Sequence, residues 1–533
     1  MGERRPTIAS RHGMVAAAHP LAASAGARLL AQGGNAFDAA AAVGAVLNVV
    51  EPFMSGLAGL GLATMWVAAE RRVRVLDFVP CVPASFPLAR FGARADLERG
   101  ALAVAPPGNL AGWCELARHY GRLSLADIFA PAAAIAADGF PLLEFGAYEF
   151  AEQARIMTDW PALHDDWSAN YRLDGPAAVG TILRQPDLAA TLTLLGATGP
   201  ELLHGGALGA RIVSHLHACG GTLNLDDLRA VSPVWKAPLS ASYRGLDLHV
   251  PPPPCEGFQI LLTLRILEGF ELANLPRSGV EHLDLVFRAI RLAAGLRIAH
   301  NNPSDKKLDE LLSETAISAL RARVTDGAPI DGPTEQWAPA PGIPPKQFNT
   351  TSFSVTDCDG NLVCVTQSLG SAFGSGVVVP GTGVCLNNFL YWADVDVGSP
   401  NRTAPGAPLP ICMAPSIGLR SGAPVLALGT PGSYGILQTQ VQALVQYLDY
   451  GLGLQHAIEA PRGRLMDGRS VTVEDRIAPG VVAGLRDRGH EASLFGADWT
   501  MRVGGMQAIA LDPTTRVAIG AADPRRDGHV AVP

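Results

Sequence analysis

The chain's 533 residues would fill roughly three or four domains of about 150 residues, or one large core, and with 48% apolar and 17% charged residues they are too hydrophobic for a disordered chain. The net charge of −8 is spread without long single-sign runs, which excludes the basic stripe that a nucleic-acid partner needs. Eight cysteines without a CxxC pair exclude a zinc ribbon or a dense disulfide framework, and Cys358 and Cys364 read as small hydrophobes flanking a turn and lining a strand.

In chain order, Arg4 and Arg5 open the sequence, but no uninterrupted apolar stretch follows before the first glycine-rich segment. A cytoplasmic protein is therefore expected. Residues 22–30, followed by Gly33, Gly34 and Asn35, read as a helix closed by glycine, and 36–50 as a second, with alanine-rich faces suited to close packing. Asp38 and Asn48 interrupt the second stretch, which falls short of the roughly 20 apolar residues that span a bilayer. It is expected as a buried helix, and no membrane partner is expected. After Gly56, Gly59 and Gly61 come two β-rich runs, 63–67 and 73–78. Helices are predicted over 125–137 and 281–300, and a strand over 246–250, ending against Pro251, Pro252, Pro253 and Pro254. No repeat of solenoid period is visible.

From Phe353 the apolar positions Val355, Leu362, Val363 and Val365 surround Asp359-Gly360, the pattern of a β-hairpin. A second strand pair is predicted at 376–379 and 383–386, followed by a Pro- and Gly-rich loop at 397–410, of a kind that often covers sites. A helix over 438–450 and short strands at 507–511 and 517–521 complete the chain. The whole reads as α/β layers with much antiparallel sheet.

The segment Asn349-Thr350-Thr351-Ser352-Phe353 opens a strand just after a polar, Pro-rich stretch, 338–347. A chain break before Thr350 would give one residue both a hydroxyl and a free α-amine that titrates near neutrality. A threonine hydroxyl is a weak nucleophile that needs such a base. Taken alone, a threonine pair also suits a strand simply through β-branching.

The wider pattern decides between these readings. It begins with Gly13-Met14-Val15-Ala16-Ala17-Ala18-His19-Pro20 and Gly33-Gly34-Asn35-Ala36-Phe37-Asp38-Ala39-Ala40. It continues through Val50-Glu51-Pro52, Asp357-Cys358-Asp359-Gly360-Asn361, Phe373-Gly374-Ser375-Gly376 and Leu386-Asn387-Asn388. Met413-Ala414-Pro415-Ser416, Gly429-Thr430-Pro431-Gly432, Ala460-Pro461-Arg462 and Gly520-Ala521-Ala522-Asp523-Pro524-Arg525 complete it. Almost end to end, the chain resembles the γ-glutamyltranspeptidase family of N-terminal-nucleophile hydrolases.

That resemblance implies a four-layer αββα sandwich, made as a proenzyme that cuts itself between Asn349 and Thr350. Residues 1–349 would form a large subunit and 350–533 a small one, interlocked in one unit. It implies a small-molecule amide as substrate and neither metal nor organic cofactor. Thr350 takes the place of the nucleophile that forms an acyl-enzyme. Ser368 stands where the family has an assisting threonine, so the hydroxyl is kept. The oxyanion hole falls on Gly432 and Ser433, whose backbone N–H groups can serve in spite of the serine side chain.

The family's clamp for a glutamyl zwitterion is largely missing. Val79 follows Asp77-Phe78 where arginine is expected, Gly370 replaces an asparagine, Phe389 and Trp392 follow the Asn387-Asn388 pair, and Ile411 and Cys412 replace a serine pair. A glutamyl group lacking counter-charges in a closed pocket would cost several kcal/mol, so a less polar acyl group is expected. The competing reading keeps glutathione hydrolysis by letting Arg402 or Arg420 restore the clamp from another loop. A non-catalytic binding relative is the third reading, favoured if the Asn349-Thr350 bond stayed uncut. Arg462, Asp523 and Arg525 are expected to hold strands and turns together.

Overall fold

The computed structural model describes residues 5–333, 348–399 and 401–533. The Pro-rich stretch 338–347 lies outside them.

The hairpin around Asp359-Gly360 forms as expected, from strands Phe348–Asp357 and Leu362–Ser371, and becomes the centre of the molecule. Its turn is tied down by Asp357, whose Oδ1 accepts the N–H groups of Asp359 and Asn361. The second oxygen of Asp357 takes the N–H of Ala36, one of the orphan donors at the start of helix Ala36–Val50. That helix start is also closed by a capping box, in which Asn35 accepts from the Phe37 and Asp38 N–H groups and Asp38 accepts from the Asn35 N–H. Hairpin and helix are thus docked through the Asn35-to-Asp38 and Asp357-to-Asn361 segments.

Two seven-stranded antiparallel sheets follow. The first runs His529–Ala531, Gly13–Ala17, Phe348–Asp357, Leu362–Ser371, Leu60–Val67, Arg72–Asp77, Val234–Lys236. The second runs Ile8–Ser10, Ala518–Ala522, Gln507–Leu511, Ala423–Gly429, Ser416–Arg420, Leu246–Val250, Leu239–Tyr243. The period of two along a strand sorts the core. Val363 and Val365 pack toward Pro20–Ala31 and Ala36–Val50, whereas Leu362 and Cys364 pack with Ile417, Ala427 and Ile509 of the other sheet. Leu248, Leu426 and Leu428 of the second sheet pack in turn with Phe258–Leu267, Val280–Ala299 and Ile436–Leu448. Helix, sheet, sheet, helix is the αββα sandwich. The small residues of Ala36–Val50 are required by closeness: a side chain at Gly44 would collide with Trp113, whose Nε1 donates to Gln367 Oε1 at 2.7 Å.

Arg462, Asp523 and Arg525 do hold strands and turns together. They form a buried network with Glu474 in which Arg462 Nη2 meets Asp523 at 2.6 Å and Arg525 Nη2 meets Glu474 at 2.6 Å. Among the described residues no helix is long and apolar enough to cross a membrane.

Candidate active site

Asn349 pairs with Gly370 and Thr351 with Gln367, and the register slips between them, so Thr350 sits at a bulge where the strand re-aims its side chains. Thr350 is only 4% exposed. Its Oγ1 donates to Ser368 Oγ at 3.2 Å, and the Gly370 N–H donates to the same oxygen at 2.9 Å. The structure therefore brings Thr350 and Ser368 together. Arg526 Nη1 donates to the Thr350 carbonyl at 2.8 Å, and Thr351 Oγ1 donates to Glu51 Oε2 at 2.7 Å. The side chain of Asn349 lies outside the described residues.

The turn that follows strand Ala423–Gly429 packs beside this strand: a side chain at Gly429 would collide with Ser352 Oγ. Gly432 has φ 129°, a conformation that side chains rarely adopt, whereas Ser433 is held at φ 57° at a cost of about 1 kcal/mol. Thr430 Oγ1 braces the turn, accepting from Gly505 N at 3.2 Å and donating to the Pro431 carbonyl at 3.0 Å. Helix Ile436–Leu448 starts directly beyond, so its positive end favours negative charge near the turn. The arrangement offers backbone donors and a helix terminus close to the Thr350 strand.

Two residues beyond Ser368, Gly370 at φ 100° leaves room for Asn388 Oδ1, and the Trp392 Nε1 would stand 3.6 Å from any Cβ there. Asn387 and Asn388 are taken up in holding loops, through bonds to Ala58, Ala105, Glu98 and Ser371. Phe389 and Trp392 stack loosely at 6.2 Å, and Trp392 meets Tyr434 at 5.5 Å, which extends the aromatic layer to the residue after Ser433. Val79 is half-buried against the same core cluster as Phe389, Trp392 and Tyr434, and its N–H donates to Asp77 Oδ1 at 2.9 Å.

Val79, Phe389, Trp392 and Ile411 carry no charge themselves, but a buried ion pair adjoins them. Behind the aromatic layer Arg297 pairs with Glu256 at 2.6 Å, both fully buried, and the Arg297 guanidinium lies 4.3 Å from the Tyr434 ring centre. Ile411 and Cys412 face this pair: the Glu256 N–H donates to the Ile411 carbonyl at 2.9 Å, and burial, then Glu256, pushes the Cys412 thiol well up. Arg94 stacks on Tyr391 at 3.9 Å. These cations come from segments outside the family motifs, so no spacing in the sequence announces them. Tyr434 was not picked out either, although it directly follows Gly432-Ser433. Arg402 and Arg420 are both exposed, and no described hydrogen bond or ring contact links either to Thr350, Ser368 or the aromatic layer.

Comparison with known proteins agrees with the architecture. The family profile described as Gamma-glutamyltranspeptidase matches residues 22–532. The chain is 34% identical to the acylase ACY 1 proenzyme of Pseudomonas sp. (strain SE83), over 99% of this chain and 94% of that protein. It is 31% identical to the glutathione hydrolase-like YwrD proenzyme of Bacillus subtilis (strain 168), over 97% of each. Among solved structures, cephalosporin acylase from Bacillus halodurans superposes with a TM-score of 0.88 at 30% identity, covering 100% of this chain and 98% of that one. Sandwich, site and relatives together make this chain an amide hydrolase or transferase that belongs to the gamma-glutamyltranspeptidase family.

Proposed function

We propose that the chain is a proenzyme that cuts itself before Thr350 and then cleaves an amide whose acyl group is not γ-glutamyl. The observation that carries this reading is the place of Thr350, at a strand bulge, hydroxyl against Ser368, beside a turn of backbone donors. In maturation the Thr350 hydroxyl adds to the Asn349 carbonyl carbon, the peptide C–N bond breaks, and the acyl chain moves to oxygen as an ester. Water then hydrolyses that ester, freeing the Asn349 carboxylate and the Thr350 α-amine. In turnover the amine takes the hydroxyl proton as Oγ attacks the substrate carbonyl. The N–H groups of Gly432 and Ser433 receive the developing oxyanion. The proton passes to the leaving amine as the C–N bond breaks, and water releases the acyl group from Thr350. Residues 1–349 and 350–533 would be the two subunits.

The Ser368 hydroxyl assists rather than reacts, so Ser368→Ala should slow both chain cutting and turnover by about tenfold, the worth of one hydrogen bond of roughly 1.4 kcal/mol. Following the appearance of the two chains on denaturing gels checks this, and an unchanged half-time removes Ser368 from the mechanism.

The acyl preference rests on the aromatic layer, because Phe389 and Trp392 follow the Asn387-Asn388 pair where the family resemblance leads one to expect clamp residues, Tyr434 packs on Trp392, and Arg297 is already matched by Glu256. The names of the relatives, an acylase and a glutathione hydrolase-like protein, span both readings. Apolar acyl area buried here gains about 25 cal/mol per Å². A panel of anilides should therefore give kcat/KM at least about tenfold higher for some simple or aromatic acyl group than for γ-glutamyl, or roughly 1.4 kcal/mol of transition-state preference. Hydrolysis of glutathione faster than every non-glutamyl amide tested would overturn the acyl assignment.

A further inference from the structure

Directly behind Thr350 lies a buried polar cluster that the mechanism above does not use. Glu51 ends helix Ala36–Val50 and is 1% exposed. This is the negative end of the helix, the wrong end for a carboxylate. Its Oε2 accepts from Thr351 Oγ1 at 2.7 Å, whereas its Oε1 has no hydrogen-bond partner among the described residues. Nor, among those residues, does any cationic nitrogen come within 4.0 Å of the carboxylate. The cation whose field reaches it is Arg526, which spends one donor on the Thr350 carbonyl at 2.8 Å. Two successive residues of the nucleophile strand are thus each held by one member of a charge-coupled pair. A neutral amide would fill the same space at lower cost, since an unpaired buried carboxylate is among the least favourable groups a fold can hold. The backbone bonds of Glu51, from its N–H to Leu47 and from Met54 N–H to its carbonyl, need no carboxylate at all.

We propose that Glu51 is a positioning residue for Thr350, fixing the bulge through Thr351 and through the charge it shares with Arg526, with the ionised carboxylate as the competent form. This rests on the reading that the chain cuts before Thr350. Burial, opposed by Arg526 and by the Thr351 hydroxyl and reinforced by Asp527, pushes the Glu51 carboxyl up to about 7, so it exchanges its proton in the neutral range. The groups facing the cluster are Arg526 and Asp527, with Glu149 and Asp523 acting on Arg526. As pH falls through the neutral range Glu51 gains a proton, its pull on Arg526 weakens, and Thr350 is held less firmly.

The unprocessed precursor isolates this group, because the α-amine that gives the mature enzyme its own acid limb does not yet exist. Precursor made by cell-free translation, then shifted to buffers between about pH 5.5 and 8.5, should be cut with a rate that climbs through the neutral range and levels above it. Glu51→Gln should be cut about tenfold more slowly at the upper plateau and should lack that limb. Thr351→Val, which removes the donor, should also slow cutting about tenfold, and Thr351→Ser, which keeps it, should restore the rate. Cutting of Glu51→Gln at the wild-type rate with the wild-type pH profile would overturn the proposal. So would equal rates for the two Thr351 variants, and that pair decides the matter even if Glu51→Gln does not fold. A wild-type precursor that is never cut would instead sink the reading of Thr350 as the cleavage point.

Discussion

Thr350→Ala is expected to remain a single uncut chain and to lose amide turnover by about 10⁴-fold or more, since removal of a nucleophile abolishes the covalent route rather than weakening it. No neighbour can substitute. Thr351 commits its hydroxyl to Glu51, Ser352 Oγ donates to the Val365 carbonyl at 2.8 Å, and Ser368 Oγ already accepts from the Gly370 N–H. The variant should nevertheless fold, because Thr350 Oγ1 contributes one bond and its carbonyl bond to Arg526 is retained. Denaturing electrophoresis with an anilide assay checks both halves. Turnover near the wild-type level in an uncut Thr350→Ala chain would place the chemistry elsewhere.

The largest stability effect should come from Asp523→Ala. Asp523 is fully buried and meets Arg462 at 2.6 Å and Arg525 at 3.1 Å, and it also accepts the Met506 N–H at 3.1 Å. Truncation takes from the buried Arg462 guanidinium its carboxylate partner and leaves Arg525 with Glu474, an imbalance that costs about 3–5 kcal/mol. Urea unfolding in the uncut Thr350→Ala background measures this without subunit dissociation, and a loss under about 1 kcal/mol would show that the network is stabilised by something other than this carboxylate. The pH dependence has a definite sign. Against the upward pull of burial, Arg525 and Arg462 draw the Asp523 carboxyl down to about 2. Its contribution is therefore present above the unfolded value near 4 and lost as pH falls toward about 2.

Much of the fold was legible because short-range chemistry decides it. Residues 36–50 were expected as a helix and form Ala36–Val50, since Asn35 caps it and Asp38 completes the box. The preceding helix closes as expected, with Gly33 at φ 94° and its N–H on the Leu30 carbonyl. The strand at 246–250 and the Asp359-Gly360 hairpin are found where patterning put them, and the helix expected over 438–450 starts two residues earlier, at Ile436. The second strand pair shrinks to Val378–Val379 and Val384–Cys385, because glycines at left-handed φ on both sides, Gly376 and Gly383, end the pairing.

The site was legible only in its motif residues. Thr350, Ser368, Gly432 and Ser433 were named from the sequence and Glu51 stood in the motif Val50-Glu51-Pro52, but that Glu51 meets Thr351 across 300 positions could not be read there. Nor could the Arg297 and Glu256 pair behind Tyr434, because a buried charge reveals itself only when its partner's location is known. Reading the site by the residues that replaced a glutamyl clamp named Phe389, Trp392, Ile411 and Cys412, but not the buried Arg297 and Glu256 pair beside them.

The most direct test of the whole account is rapid-quench mass spectrometry of the processed protein mixed with an excess of a non-glutamyl acyl anilide. The expected result is a small chain that starts at Thr350 and carries the mass of the acyl group on that residue, with less adduct from γ-glutamyl anilide at equal concentration and quench time. An acyl group on another residue, or acylation by γ-glutamyl anilide in preference to every other donor, would contradict it.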